Sequence, residues 1–333
     1  ISCDENPEIV TQQSILPESF GVDIPSSISN PNLVSGGRIG GRAEEDFSGD
    51  DIYQHLGLFI AIGEGASEII EAIMTSIRQY NIQSIQVLTY TSDEDGRSKN
   101  MIVEENSEFE GITWQYQLTI TDVDSEGNDD GGKAMQVFWN NNPIKGIAIL
   151  KPYNINRNDR EADQAVYRVD YSEESDLGYD SHMEVSISGL PLFLEEDDVF
   201  AMKTLRMFAG KKGDVVDVYG NSNHPNATFF TENTGFNWAF VASGSNVEDI
   251  GVAEVGLPPS DLDESNRAVL LDEYSIRAVF ENEIEMAFPN VTQTQLDIYL
   301  LNTNPPGYFG KDGFLQGGSS PGEAWDPLAG RLD

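Results

Sequence analysis

Apolar side chains recur at spacings of mostly three and four from Ile52 through Leu56, Phe59, Ile60, Ala66, Ile70, Ile73, Met74 and Ile77. That spacing is the repeat of one helical face, and it predicts a long helix near 52–80. Asp50 or Asp51 is placed to cap its start, and Glu64, Glu68, Glu71, Arg78 and Gln79 fall on the side expected to be exposed. Gly57, Gly63 and Gly65 interrupt the pattern. Each costs about 1 kcal/mol relative to alanine, so a kink or break near 63–65 is expected, or a sheet that approaches closely there.

After Asn81 the period changes to two. Trp114, Tyr116, Leu118 and Ile120 alternate with Gln115, Gln117, Thr119 and Thr121, and Met183, Val185 and Ile187 alternate with Glu184, Ser186 and Ser188. Further strands are predicted over 82–90, 101–105, 134–140, 144–151, 165–171, 200–208, 215–219, 227–231 and 238–242. Turn-forming sequences separate them, among them Asp95-Gly96, Glu126-Gly127-Asn128, Asn140-Asn141-Asn142-Pro143, Lys212-Gly213 and the Asn-rich 221–226. Many short strands without intervening helices make an antiparallel meander. The expected fold is therefore α+β and mainly β: a many-stranded meander, an open or closed barrel, packed with the long helix. A second helix is expected over 260–286, with Pro258-Pro259-Ser260 as stop and cap. Residues 1–50, rich in Pro, Gly, Ser and Asn, read as a flexible tether with at most a short strand at 19–24. The domain is expected over 51–303, and 304–333 as an irregular tail.

Charge narrows the function. The chain of 333 residues carries 57 acidic against 19 basic residues, a net charge of −38. Such a surface repels phosphate backbones and anionic bilayers, so nucleic acid is excluded as a partner, and membrane attachment needs a lipid or a second protein. No apolar run approaches the roughly 18 residues of a spanning helix. The single cysteine, Cys3, rules out a disulfide within the chain.

Cys3 follows Ile1-Ser2 and precedes the polar Asp4-Glu5-Asn6-Pro7-Glu8. Ile1-Ser2-Cys3 resembles the end of a bacterial lipobox, and the acidic stretch is similar to surface-export signals of outer-membrane lipoproteins. The resemblance implies a signal peptide removed before Cys3, a diacylated thiol, and a place in the cell envelope, periplasmic or surface-exposed. Two acyl chains would anchor the protein stably where one would not.

Catalytic signatures are absent from the sequence. His55, His182 and His224 stand far apart, no cysteine pair exists, and neither a nucleophile elbow nor a phosphate-binding glycine loop is present. No enzyme is expected, although a carboxylate-pair hydrolase would leave no mark in so acidic a chain. One stretch follows the start of a calcium loop: Asp122, Asp124, Glu126 and Asp130 stand at positions one, three, five and nine, Asn128 at seven, and Gly127 at six for the sharp turn. Lys133 holds the twelfth position, where a bidentate glutamate is needed, and strands rather than helices flank it. A polar hairpin loop is the competing reading.

A long amphipathic helix before an antiparallel meander resembles the unclosed barrel of lipoprotein carriers. That likeness implies an apolar molecule or lipid as ligand, held in a barrel cavity. The alternative is a surface glycan-binding or scaffold component of an uptake system, with Trp114, Trp139 and Trp238 as stacking platforms.

Overall fold

A computed structural model describes residues 15–29, 49–78, 86–159, 165–174, 177–189, 204–224, 236–258, 262–277, 288–301 and 307–310. Eleven strands form one antiparallel sheet in strict chain order. They are β1 (Gln86–Thr91), β2 (Ser98–Phe109), β3 (Ile112–Asp122), β4 (Lys133–Asn141), β5 (Ile144–Leu150), β6 (Val166–Ser172), β7 (Ser181–Ser188), β8 (Thr204–Lys212), β9 (Val215–His224), β10 (Phe236–Ser245) and β11 (Ile250–Gly256). Each strand pairs with the next, and β1 and β11 do not pair, so the sheet is not closed. The mainly β meander follows from alternating side chains and tight turns, as the sequence implies.

The long helix α1 spans Gly49–Arg78 without a break at 63–65. The expected kink is absent because Gly63 serves the other role: a Cβ built there would lie 2.5 Å from Met207 Cε, so β8 presses on the helix at that turn. Leu56, Phe59, Ile60, Ala66, Ile70, Met74 and Ile77 are buried in one cluster with the inner face of the sheet. The helix meets β6, β7, β8 and β11.

The outer face of β8–β11 is covered by the C-terminal segments. Among the described residues the helix expected over 260–286 is interrupted: α2 (Pro152–Ile155) lies earlier in the chain, α3 covers Arg267–Glu273, and helical structure resumes at 276–277. Its cap is Asn266, which accepts the Ala268 N–H at 2.7 Å, and Ser275 then forms a bridge with Gly256 of β11. A further helical stretch, α4 (Gln293–Leu296) continuing through Asp297–Leu301, starts at a capping box of Thr292 and Gln295. Leu270, Leu271, Leu296, Tyr299, Leu300 and Tyr308 pack there on Phe208, Tyr219, Val241 and Val252. A smaller outer cluster joins Trp114, Phe138, Ile147, Ile149 and Val166, with Phe109 stacked on Phe138 at 4.2 Å. Trp114 thus leaves the company of Leu118 and Ile120, beyond the point where Asn106, at φ 58°, drops out of the pairing.

Residues 15–29, expected within a flexible tether, belong to the core: Leu16, Phe20, Val22, Ile24 and Ile28 are all at most 5% exposed. They form no strand. Cys3, the rest of the expected tether, the predicted strand at 227–231 and the tail from 311 onward lie outside the described residues.

Candidate functional site

The inner face of the sheet and the buried stripe of α1 form the largest apolar cluster among the described residues. Alternation fixes which side chains enter it: Met101 and Val103 from β2, Leu118 and Ile120 from β3, Met135, Val137 and Trp139 from β4, and so on to Ala253 and Val255 of β11. Methionine is the distinctive component. Of seven in the chain, Met74, Met101, Met135, Met183 and Met207 all lie in this one cluster, each at most 1% exposed. Unbranched thioethers repack around irregular shapes more readily than leucine or valine, which is why they recur at surfaces that accept varied apolar ligands.

Strand ends define two rims. The β2–β3, β4–β5, β6–β7, β8–β9 and β10–β11 connections lie at one, and the remaining connections at the other. Residues 15–29 run across the first rim as a strap. Trp139 Nε1–H donates to the Ile15 carbonyl at 2.8 Å, and the Asn141 amide donates to the same oxygen at 3.0 Å. Phe20 packs on Tyr171, the Val22 N–H points at Met183 Sδ at 3.3 Å, and Ser27 Oγ donates to the Ile250 carbonyl at 2.9 Å. At Gly251 a Cβ would strike the Ser27 carbonyl, so glycine there admits the strap.

The strap runs antiparallel to the second half of α1. Arg78 donates to the Pro17 carbonyl, Glu71 accepts from the Phe20 N–H at 2.6 Å and from Ser19 Oγ at 3.1 Å, and Glu64 accepts from the Ile24 N–H at 3.0 Å and from Ser29 Oγ at 2.6 Å. Glu64 and Glu71, expected on an exposed side, are instead half-buried clamps two helical turns apart. Burial raises the Glu64 pKa above the ordinary glutamate range, against the hydrogen bonds from Ser29 and Ile24, with the charges of Glu68 and Asp23 adding to the rise.

The described part of the second rim is closed by charge. Asp122, fully buried, is the register partner of Lys99, also buried. Its carboxylate accepts from Arg97 Nη2 at 2.8 Å and Nε at 3.0 Å, from Ser125 Oγ at 2.5 Å and from Arg157 Nε at 3.3 Å, with Lys99 Nζ at 3.5 Å. Lys99 also donates to Asp95 and to the Asn154 carbonyl, each at 2.9 Å. Burial alone would raise the Asp122 pKa; hydrogen bonds from Arg97 and Ser125 and the charges of Lys99 and Arg97 hold it down at about 2.

Of the calcium-loop residues, Asp122 and Asp130 are therefore engaged by cations and amides. Asp130 accepts from Asn154 at 2.8 Å and from Lys151 at 3.3 Å, while Asp124, Glu126 and Asn128 stand exposed on the loop. Among the described residues no three His, Cys, Asp or Glu side chains converge as a metal would require. The sequence shows the acids of this loop; their basic partners come from β2 and from the segment after β5, too distant in the chain to be read as a set.

Trp114, Trp139 and Trp238 are each at most 1% exposed, so none offers a face to a sugar. His182 stacks on Phe208 at 5.6 Å. On the outer face Asp217 of β9 accepts from Ser243 Oγ at 2.7 Å and from Tyr179 OH at 3.1 Å beneath the C-terminal cover, where Arg267 donates to the Leu300 carbonyl at 3.1 Å. The cover itself is tied to the sheet by the Phe309 N–H, which donates to Asn221 Oδ1 at 3.0 Å, and by Tyr299 OH, which donates to Glu248 in the β10–β11 turn at 2.9 Å.

Comparison with protein-family models, with curated proteins and with solved structures finds no match to this chain.

Proposed function

We propose that the protein is a non-enzymatic lipoprotein of the cell envelope that holds an apolar molecule or lipid between α1 and the inner face of its barrel-like sheet. The observation that carries the reading is the gathering of five methionines in this apolar cluster, four from strands and one from α1. A core that served stability alone gains more from branched side chains with fixed rotamers. The unclosed sheet adds to the case, since admitting a guest would break no pairing between the first and last strands. The acidic surface, at −38, favours an uncharged or apolar ligand over an anionic one. Anchorage would come from acylation of Cys3.

Native mass spectrometry of the full chain purified from its host, followed by organic extraction, tests the reading. The expected result is a bound lipid or other apolar molecule that extraction releases. An apo mass that no lipid mixture changes would overturn it. Intact mass of the membrane-extracted protein checks the anchor: diacylation at Cys3 adds the mass of two chains plus glycerol, and C3S moves the protein to the soluble fraction.

A further inference from the structure

Residues 15–29 close one rim without belonging to the sheet or to α1. Their only internal backbone bonds are those from the Ile28 and Ser29 N–H groups to the Pro25 carbonyl. They are held from outside at separate points: Glu71, Glu64, Arg78, Trp139, Asn141 and the β10–β11 turn. A segment without a ladder can lift away without breaking strand pairing, here at the cost of exposing Leu16, Phe20, Val22, Ile24 and Ile28. Directly against the strap lie Trp139, Tyr171 and Met183, all members of the enclosed apolar cluster.

We infer that the strap 15–29 is the gate through which the apolar ligand enters and leaves. The inference rests on the carrier reading above and names its entrance. Opening returns the Glu64 and Glu71 carboxylates to water and uncovers Met183, Tyr171 and Trp139 while the sheet stays intact. The described part of the opposite rim is a poor entrance, because a guest there would have to separate the Asp122, Asp95 and Lys99 ion pairs. The strap's own rim carries exposed apolar residues on three hairpin connections: Ile112 (45% exposed), Leu177 (51%) and Val247 (74%). An apolar molecule arriving at this rim meets them before it meets the strap.

Geometry supplies a lock. A Cβ on Gly21 would lie 3.5 Å from Ser67 Cβ of α1, within the roughly 3.5–4.5 Å that a disulfide spans. The experiment uses the full chain as G21C/S67C in a C3S background, and follows uptake of a neutral, polarity-sensitive naphthylamine dye by fluorescence. A Cβ on Gly21 also falls 2.2 Å from Ser67 Oγ, so the reduced double variant is crowded and should load at least as fast as the C3S parent. The oxidised form should load roughly tenfold more slowly or not at all, since uptake then lacks its conformational step, and reduction should restore the rate. S27C/G244C, in which a Cβ on Gly244 would lie 3.3 Å from Ser27 Oγ, locks the other end of the strap independently. Gly251→Ala, which drives a methyl into Ser27, should speed loading instead. Equal loading by oxidised and reduced forms of both pairs would overturn the gate and leave the carrier standing. If the parent, the reduced forms and G251A all take up no dye, the carrier reading itself falls, and the gate with it.

Discussion

Asp122 holds three cationic side chains and a hydroxyl at one fully buried carboxylate, and the consequences of losing it are asymmetric. In Asp122→Asn the amide keeps the volume but leaves Lys99 and Arg157 facing a neutral group in a dry setting. Removing one partner of a buried charge cluster typically costs about 3–5 kcal/mol. The variant should therefore show a sharply lower urea midpoint with an unchanged slope. Two carboxylates also give stability opposite pH dependences. The Asp122 pKa is depressed to about 2, so its contribution is complete above the ordinary aspartate value and is lost as pH falls through its folded value. The Glu64 pKa is raised, so the fold binds that proton more tightly than the unfolded chain does. Its contribution is present at acid pH and is lost as pH rises through the raised value. Urea unfolding across pH should thus show the stability of the wild type, relative to Glu64→Gln, declining from pH 4 towards neutrality (about 1 kcal/mol per unit of pKa difference). A flat difference would mean that the clamp does not sense its own charge.

At the scale of elements, glycine marks where helix and sheet do or do not touch. Gly63 is pressed by Met207, whereas Gly65, two residues further along α1, has nothing within 4 Å of the place a methyl group would take. Gly65→Ala should therefore raise stability by about 0.5–1 kcal/mol, the ordinary helix-propensity gain, measured by denaturant unfolding. The period of the pattern made α1 and most strands legible, because half-buried alternation and a helical stripe are properties of short windows. β11 escaped that reading. Val252, Ala253, Glu254 and Val255 are buried on both faces, and Glu254 breaks the apolar run. The end of β9 was hidden similarly: Asn221 and Ser222 look like turn residues, yet Asn221 Oδ1 accepts the Phe309 N–H at 3.0 Å under the C-terminal cover. Prolines 258 and 259 and scattered apolar residues mimic a helix start, while the true cap is Asn266. The strap was least legible. Phe20, Val22 and Ile24 alternate, but only over the short run between Pro17 and Pro25, so nothing local separates a buried irregular segment from a linker with a short strand. Of the candidate site, four methionines stand at inward strand positions and Met74 on the apolar stripe of α1; the clamping role of Glu64 and Glu71 depends on the strap and could not be read.

For the whole molecule, the excess of acid shapes behaviour more than it shapes fold. At −38 the folded chain repels itself, and that repulsion is screened by salt. Stability should rise by about 1 kcal/mol or more from low to moderate sodium chloride, seen as a higher urea midpoint at constant pH. Four of the described cations, Arg97, Lys99, Lys151 and Arg157, run against the trend of the surface and gather at the second rim.

The sheet's strict chain order has a consequence for how the molecule is made. Each hairpin can zip onto its predecessor as it appears, a process of short-range closures. The strap cannot follow that rule: Val22 meets Met183, 161 residues later, and Ser27 meets Ile250, 223 residues later. A segment that is made before any strand of the sheet is thus among the last to find its place. Until β7 and β11 are complete, Val22 and Ser27 lack the groups they meet in the folded chain, and a nascent or translocating chain presents this apolar segment to whatever chaperones escort it.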